Sequence, residues 1–363
     1  MTRKETFNFS SGPSVLPAEA LERAGAEICN FGSSGMSVME MSHRSPIYEG
    51  IFAEVKTKLK KALSVPDSHE ILFLQGGASM QFSMIPMNLM GEKGCADYAV
   101  TGNFSDTAYK EAKKYGTVNL AASSEDKNHT YIPAQNEITT DPNASYFYYC
   151  ANNTIYGTQW KYVPETGAVP IACDMSSEIL SKPVDIKKYG VIFAGAQKNM
   201  APAGLTVVII DKALAGRELP FTPLMMSYGL MIEKDSMFNT PPCWNIYILG
   251  LVLDWLESRG GVIGMEKETV EKAKMVYDVL DESRLFNACA EPGARSNMNI
   301  TFRTKSREID AAFVKEAEAR GLLNLKGHRS VGGMRASVYN AQPIEGILAL
   351  TEYMRDFEVK NRV

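Results

Sequence analysis

Residues 191–210 read VIFAGAQKNMAPAGLTVVII, two apolar runs separated by the eight residues QKNMAPAG. Each run has the length and the Val, Ile and Phe content of a strand buried on both faces. Asn199, Pro202 and Gly204 make the intervening stretch a loop. Strands that are apolar throughout belong to sheets covered on both sides, which points to a layered α/β architecture.

The same alternation runs along the chain. In PIYEGIFAEVKTKLKKAL, residues Ile47, Ile51, Val55, Leu59 and Leu63 recur at four-residue steps, as on an amphipathic helix. EILFL then reads as a strand, QGGAS as a tight turn and MQFSMIPMNLM as a helix start. Further strands are expected at 97–100, 145–150 and 169–173, with helices such as TAYKEAKKY between them. Strands alternating with helices predict a mainly parallel sheet flanked by helices. Beyond about residue 265 the pattern changes. The charged helix MEKETVEKAKMVYDVLDE leads to a strand near MNITF and a helix EIDAAFVKEAEAR ended by Gly321. A strand at MRASVYN and a helix over 344–357 complete the chain. We expect a large domain over 15–265 and a smaller C-terminal α+β domain over 266–363, with residues 1–14 packing near the functional site.

A formal charge of −4 argues against a general nucleic-acid or anionic-membrane surface, while leaving room for local basic sites. Cys29, Cys95, Cys150, Cys173, Cys243 and Cys289 form no CxxC pair and are expected as reduced thiols, with no metal site. The opening MTRKETFNFSSGP has no apolar signal core and no stretch reaches the length of a membrane span. A cytoplasmic protein is expected.

Lys198 is the single lysine between the two apolar runs. A lysine in a loop is ordinarily solvated, but one held partly desolvated has a lowered pKa and can form a Schiff base with a carbonyl. Ligands of open α/β sheets bind beyond the carboxyl ends of strands, where several polar residues stand here. Asp174 follows the run VPIAC, 24 residues before Lys198, about one strand–helix–strand step. It is either a counter-ion for a buried amine or the group that keeps a pyridinium nitrogen protonated in pyridoxal phosphate (PLP). The turn Gly76, Gly77, Ala78, Ser79 can bring backbone amides up to an anion. No GxGxxG or Walker sequence is present, so dinucleotides and nucleoside triphosphates lose ground. Phe104 can stack on a flat ring or belong to the core, and Thr154 can donate to a ring oxygen or close a turn.

Two of the four histidines precede arginine, as His43-Arg44 and His328-Arg329, and Arg335 follows the second pair. Either pair can be a solvated patch. The planar guanidinium fork also suits carboxylate and phosphate, and three arginines beside glycine-rich turns suggest a substrate with two anionic ends.

Nearly end to end, the chain resembles the phosphoserine aminotransferases, PLP-dependent class V aminotransferases of fold type I. The matching motifs are NFSSGPSVLP at 8–17, SVMEMSHRS at 37–45, LQGGAS at 74–79 and NNTIYGTQ at 152–159. They continue with FAGAQKN at 193–199, FNTPP at 238–242 and LKGHRSVGGMRASVYNA at 325–341. The resemblance implies pyridoxal 5'-phosphate carried covalently on Lys198, with Asp174 at its pyridine nitrogen, Phe104 stacked on the ring and Thr154 at the phenolic oxygen. It implies that Ala78, Ser79 and Gln197 bind the cofactor phosphate, joined by Asn239 and Thr240 from the other subunit of a homodimer with shared active sites. Arg335 is implied for the substrate α-carboxylate, with Ser11 as a further substrate contact. His43, Arg44, His328 and Arg329 are implied for the phosphate of O-phospho-L-serine or the γ-carboxylate of L-glutamate. The implied reaction converts 3-phosphohydroxypyruvate and L-glutamate to O-phospho-L-serine and 2-oxoglutarate in L-serine biosynthesis. Formation of 4-phosphohydroxy-L-threonine for pyridoxine stays open as a second use.

Two positions depart from the pattern. Some members carry tryptophan where Phe104 stands, and Met200-Ala201 replaces a pattern with glycine second, which would strain Ala201 if that position needs a positive φ. The alternatives are another fold type I enzyme, such as a serine–glyoxylate aminotransferase or a cysteine desulfurase, and a non-catalytic protein binding phosphorylated anions. A desulfurase would usually stack histidine where Phe104 stands.

Overall fold

The computed structural model describes residues 2–361. Its central sheet has seven strands: β1 His69–Gln75, β2 Cys95–Val100, β3 Thr117–Ser123, β4 Phe147–Cys150, β5 Ile171–Asp174, β6 Val191–Gly195 and β7 Leu205–Asp211. The spatial order is β1-β7-β6-β5-β4-β2-β3. Six strands run one way. Only β7 runs against them, antiparallel to both β1 and β6. The mainly parallel sheet expected from the sequence is therefore present, and the two runs flanking Lys198 are its β6 and β7. β3 was not expected. It lies at the sheet edge, so much of it is open to solvent, Leu120 included, and its sequence TVNLAAS lacks a buried strand's continuous apolar run.

Alternation along the strands sends neighbouring residues to opposite faces. In β6, Ile192 and Ala194 join a core beneath the helices Pro46–Ala62 and Cys243–Ser258. Val191 and Phe193 join a core on the other face, with Phe82 and Ile85 of the helix Gln81–Leu89. Both faces are apolar, which is why the run carries no polar alternation.

A third core lies in the C-terminal part. The helices Gly261–Glu282, Arg307–Ala319 and Ile344–Lys360 pack Val276, Phe313 and Phe357 against a three-stranded antiparallel sheet. Its strands are β8 Asn287–Ala288, β9 Asn299–Arg303 and β10 Met334–Ser337. Met265 belongs to the first core and Ala273 to the third, so the helix Gly261–Glu282 runs unbroken from one to the other. The N-terminal residues also enter the third core: Phe9 is buried in it and Phe7–Asn8 pairs in parallel with Leu322–Leu323. All six cysteines are unpaired, and among the described residues no helix is long and apolar enough to cross a membrane.

A buried polar seam joins the two parts. Asn299 Oδ1 accepts from Asn152 Nδ2 at 2.8 Å, and Asn299 Nδ2 donates to Ser337 Oγ at 3.0 Å and to the Tyr339 hydroxyl at 3.1 Å. Replacing Asn299 by leucine strands several buried partners at once and should lower the unfolding free energy by about 2 kcal/mol. Chemical denaturation of the variant measures it, and a change under about 0.5 kcal/mol would show that the seam contributes little.

Candidate active site

The carboxyl ends of the six co-directional strands lie along one edge of the sheet. β1 leads into Gly76-Gly77, β2 into Thr101-Gly102, β4 into the segment 151–154, β5 ends at Asp174, and β6 leads into Gln197-Lys198. Apolar strands thus deliver short polar segments to one line, and Lys198 stands within it.

The Lys198 side chain is buried, about 9% exposed. Its Nζ donates to Thr154 Oγ1 at 2.9 Å and lies 5.6 Å from the centroid of the Phe104 ring. Asp174 is also buried, and its Oδ1 accepts from the backbone N–H of Ser176 at 2.8 Å. Burial pushes its carboxyl above the usual range, Ser176 and the Lys198 charge pull it back, and Glu178 adds to the rise. Among the described residues no side-chain cation lies within ion-pair distance of Asp174, so a protonated ring nitrogen brought against it would complete the pairing that burial leaves unmet.

The N-terminal segment closes over the lysine loop. The backbone N–H of Ser14 donates to the Gln197 carbonyl at 2.9 Å, and the Ser14 hydroxyl donates to the Lys198 carbonyl. Gly12, at φ +134°, lies so close to the lysine that a Cβ there would meet Lys198 Cγ at 3.3 Å. Ser11 Oγ accepts from Arg335 Nη2 at 2.7 Å, and the Thr154 carbonyl accepts from Arg335 Nη1 at 3.3 Å. Arg335 is therefore fastened to the residue that receives the Lys198 amine. Burial pushes its guanidinium below the usual range.

Ala78 and Gln197 flank Gly195, where an added Cβ would meet Gln197 Oε1 at 2.7 Å and Ala78 Cβ at 3.3 Å. Ser79 lies in the short turn Ala78–Met80 that follows the glycines. Lys198, Asp174, Thr154, Phe104, Ala78, Ser79 and Gln197 thus stand at one edge of the central sheet, and Arg335 and Ser11 reach that edge from the C-terminal sheet and the N-terminal segment. The other predicted residues stand further out. His328 lies on an exposed loop, its Nδ1 engaged by Ser330, and burial, Arg335 and Arg329 together lower its pKa. Arg329 is exposed beside it. His43 and Arg44 occupy the turn before Pro46–Ala62, where the Arg44 N–H donates to Ser42 Oγ at 3.3 Å and His43 Nε2 is buried with no hydrogen-bond partner among the described residues. Asn239 and Thr240 lie on a loop whose Thr240 carbonyl accepts from Gln75 Nε2 of β1. No hydrogen bond among the described residues joins any of these three pairs to Lys198.

Ala201 is unstrained, because the positive φ of this loop falls on Gly204, at +110°. Sequence reasoning passed over Ser14, Ser176 and Tyr339, although Ser14 and Tyr339 lie inside quoted motifs. Ser14 meets a carbonyl 184 residues away, a pairing that no local pattern announces.

A buried amine, an aromatic ring beside it, an unpaired buried carboxylate and a glycine-rich turn at a strand end make a set that fits a flat, anionic aldehyde such as pyridoxal phosphate. The profile of the family described as aminotransferase class-V matches residues 6–350. The chain is 49% identical to the phosphoserine aminotransferase of Lysinibacillus sphaericus (strain C3-41), covering all of both chains. With that of Bacillus cereus (strain ATCC 14579) it shares 47% identity, over 99% of this chain and 100% of the relative. Among solved structures, the phosphoserine aminotransferase from Bacillus circulans subsp. alkalophilus superposes with a TM-score of 0.96 at 45% identity, covering 98% of this chain and 99% of that one. The PLP-bound enzyme from Trichomonas vaginalis gives 0.93 at 41% identity, over 96% and 99%. With its fold and nearly its full length matched, the chain belongs to the class V aminotransferase family.

Proposed function

We propose that this chain is a phosphoserine aminotransferase. It exchanges the amino group of L-glutamate for the keto oxygen of 3-phosphohydroxypyruvate, giving 2-oxoglutarate and O-phospho-L-serine, in cytoplasmic L-serine biosynthesis. The observation that carries the reading is the buried Lys198 amine hydrogen-bonded to Thr154 within the electrostatic reach of Asp174. The full-length relatives named phosphoserine aminotransferase favour it over a serine–glyoxylate aminotransferase, a cysteine desulfurase or a simple anion binder.

Pyridoxal phosphate, when bound, supplies an aldehyde for the amine and a ring that draws off electrons. Lys198 would hold it covalently, Phe104 would lie against its ring, and Thr154 would donate to its phenolic oxygen. Ala78, Ser79 and Gln197 would receive its phosphate, with Asn239 and Thr240 supplied by a second copy of the chain. Asp174 holds a proton at the pyridine nitrogen. Lys198 Nζ takes the proton from the substrate α-carbon and redelivers it. Arg335, steadied by Ser11, receives the α-carboxylate. His43, Arg44, His328 and Arg329 grip the far anion, a phosphate in one substrate and a carboxylate in the other.

The direct test is spectral. The purified protein should carry a visible cofactor band that L-glutamate discharges and that O-phospho-L-serine discharges as well. Lys198→Ala should stay soluble but lose that band and turnover, and borohydride reduction of the wild type followed by peptide mapping should tag Lys198. A variant with near-normal turnover would remove Lys198 from the chemistry.

Arg44→Ala and Arg329→Ala should weaken phosphoserine about ten- to a hundredfold more than alanine, the size of a lost charge-assisted hydrogen bond. Arg335→Ala should impair every amino acid, since all carry an α-carboxylate. Steady-state kinetics decide, and equal losses for charged and neutral donors in all three variants would refute this division.

Shared sites are tested by co-expressing Lys198→Ala with an Asn239→Ala, Thr240→Ala chain, each parent being nearly inactive. If the loop acts across a two-fold axis, random pairing restores about a quarter of wild-type sites. Activity at the parental background would return Asn239 and Thr240 to their own chain.

A further inference from the structure

Lys272 is a cation that the reaction does not use. It lies in the helix Gly261–Glu282, only 3% exposed, where a lysine is expensive to bury. Among the described residues it makes no ion pair. Instead its Nζ donates to three backbone carbonyls of one short segment, Tyr339 at 2.9 Å, Asn340 at 3.0 Å and Gln342 at 3.1 Å. An ammonium has three N–H donors, and here all three are spent on one turn of backbone. Burial pushes this ammonium down to about 8, with Glu268 raising it and Arg259 lowering it. An apolar side chain of similar length would fill the space without that desolvation, so packing alone gives no reason for the charge.

The clamped segment is the continuation of β10, which carries Arg335. Its members reach the active site by two routes. The Tyr339 hydroxyl donates to the Ser11 carbonyl at 2.9 Å, and Ser11 Oγ accepts from Arg335. The Asn340 N–H donates to Asn199 Oδ1 at 3.1 Å, beside Lys198, and Asn340 Nδ2 donates to the Leu180 carbonyl at 2.9 Å. Asn199 Nδ2 in turn holds the Ile179 carbonyl at 3.0 Å. One buried charge thus fixes the backbone from which both the Ser11–Arg335 pair and the lysine loop are braced.

We propose that Lys272 is a positioning residue for recognition of the substrate α-carboxylate, acting through residues 339–342 on Ser11 and Arg335. The inference rests on the aminotransferase reading, since it presumes that Arg335 receives an α-carboxylate. It assigns Lys272 no contact with substrate or cofactor.

The test compares ligands with and without that carboxylate. Holoenzyme is titrated with L-glutamate and with 4-aminobutyrate, which is glutamate lacking its α-carboxylate, and likewise with phosphoserine and O-phosphoethanolamine. Lys272→Met should weaken glutamate and phosphoserine about tenfold, as lost hydrogen-bonded geometry does, while changing the decarboxylated ligands less than about twofold. Lys272→Arg, which keeps charge and donors, should return the ratio toward wild type. If the methionine variant does not fold, the ratio is read from Lys272→Gln against Lys272→Arg. A wild-type ratio in a variant whose only defect is thermal stability overturns the proposal, as does an equal loss for both members of each pair. A wild-type protein that does not prefer glutamate over 4-aminobutyrate instead overturns the aminotransferase reading itself.

Discussion

The Lys198 amine is buried against a neutral hydroxyl, and most of the architecture around it follows from making that tenable. An isolated ammonium in an apolar interior is costly, and the Thr154 hydroxyl alone does not offset it. The field of Asp174 helps, but Asp174 is itself buried at the end of an interior strand. Among the described residues the amine and the carboxylate stand near each other without direct pairing, each braced by its own neighbours instead.

Holding that arrangement calls for rigid supports on every side. The central sheet supplies Asp174, Thr154 and the base of the lysine loop, where the Ala196 N–H donates to the Leu205 carbonyl at 2.9 Å. Because β7 runs against its neighbours, β6 and β7 pair directly and the loop between them is pinned at both ends. The N-terminal strap and the C-terminal part then approach from outside, through Ser14 and Asn340.

How much of this the sequence discloses depends on whether the governing interaction is local. β6 and β7 are legible because both faces are apolar, and the edge strand β3 is hidden because it is half solvated. Lys198 and Asp174 stand out because each closes an apolar run, and no other residue type there carries charge. Phe104, Thr154 and Arg335 are ambiguous one at a time, and only a resemblance spread over several motifs sorts them. Ser14 and Lys272 escape notice because their partners are far along the chain and are mostly backbone carbonyls, which no side-chain pattern encodes. The break expected near 265 falls in a continuous helix because a change of composition tracks which core a residue faces, not where the backbone bends.

The N-terminal strap has a temporal side. Phe7 and Asn8 pair with Leu322 and Leu323, and the Ser11 carbonyl waits for the hydroxyl of Tyr339. Residues 7–11 can therefore be secured only after their partners have been made, 328 residues later in the chain for the Ser11–Tyr339 bond. Such distant pairing bears a large loop-closure entropy and forms late. A nascent chain can assemble the central sheet, with its lysine loop, while residues 7–11 still lack their partners. The Ser11 bonds to Arg335 and Tyr339 form only once residues 335 and 339 exist, so a shorter nascent chain holds its lysine loop without that brace.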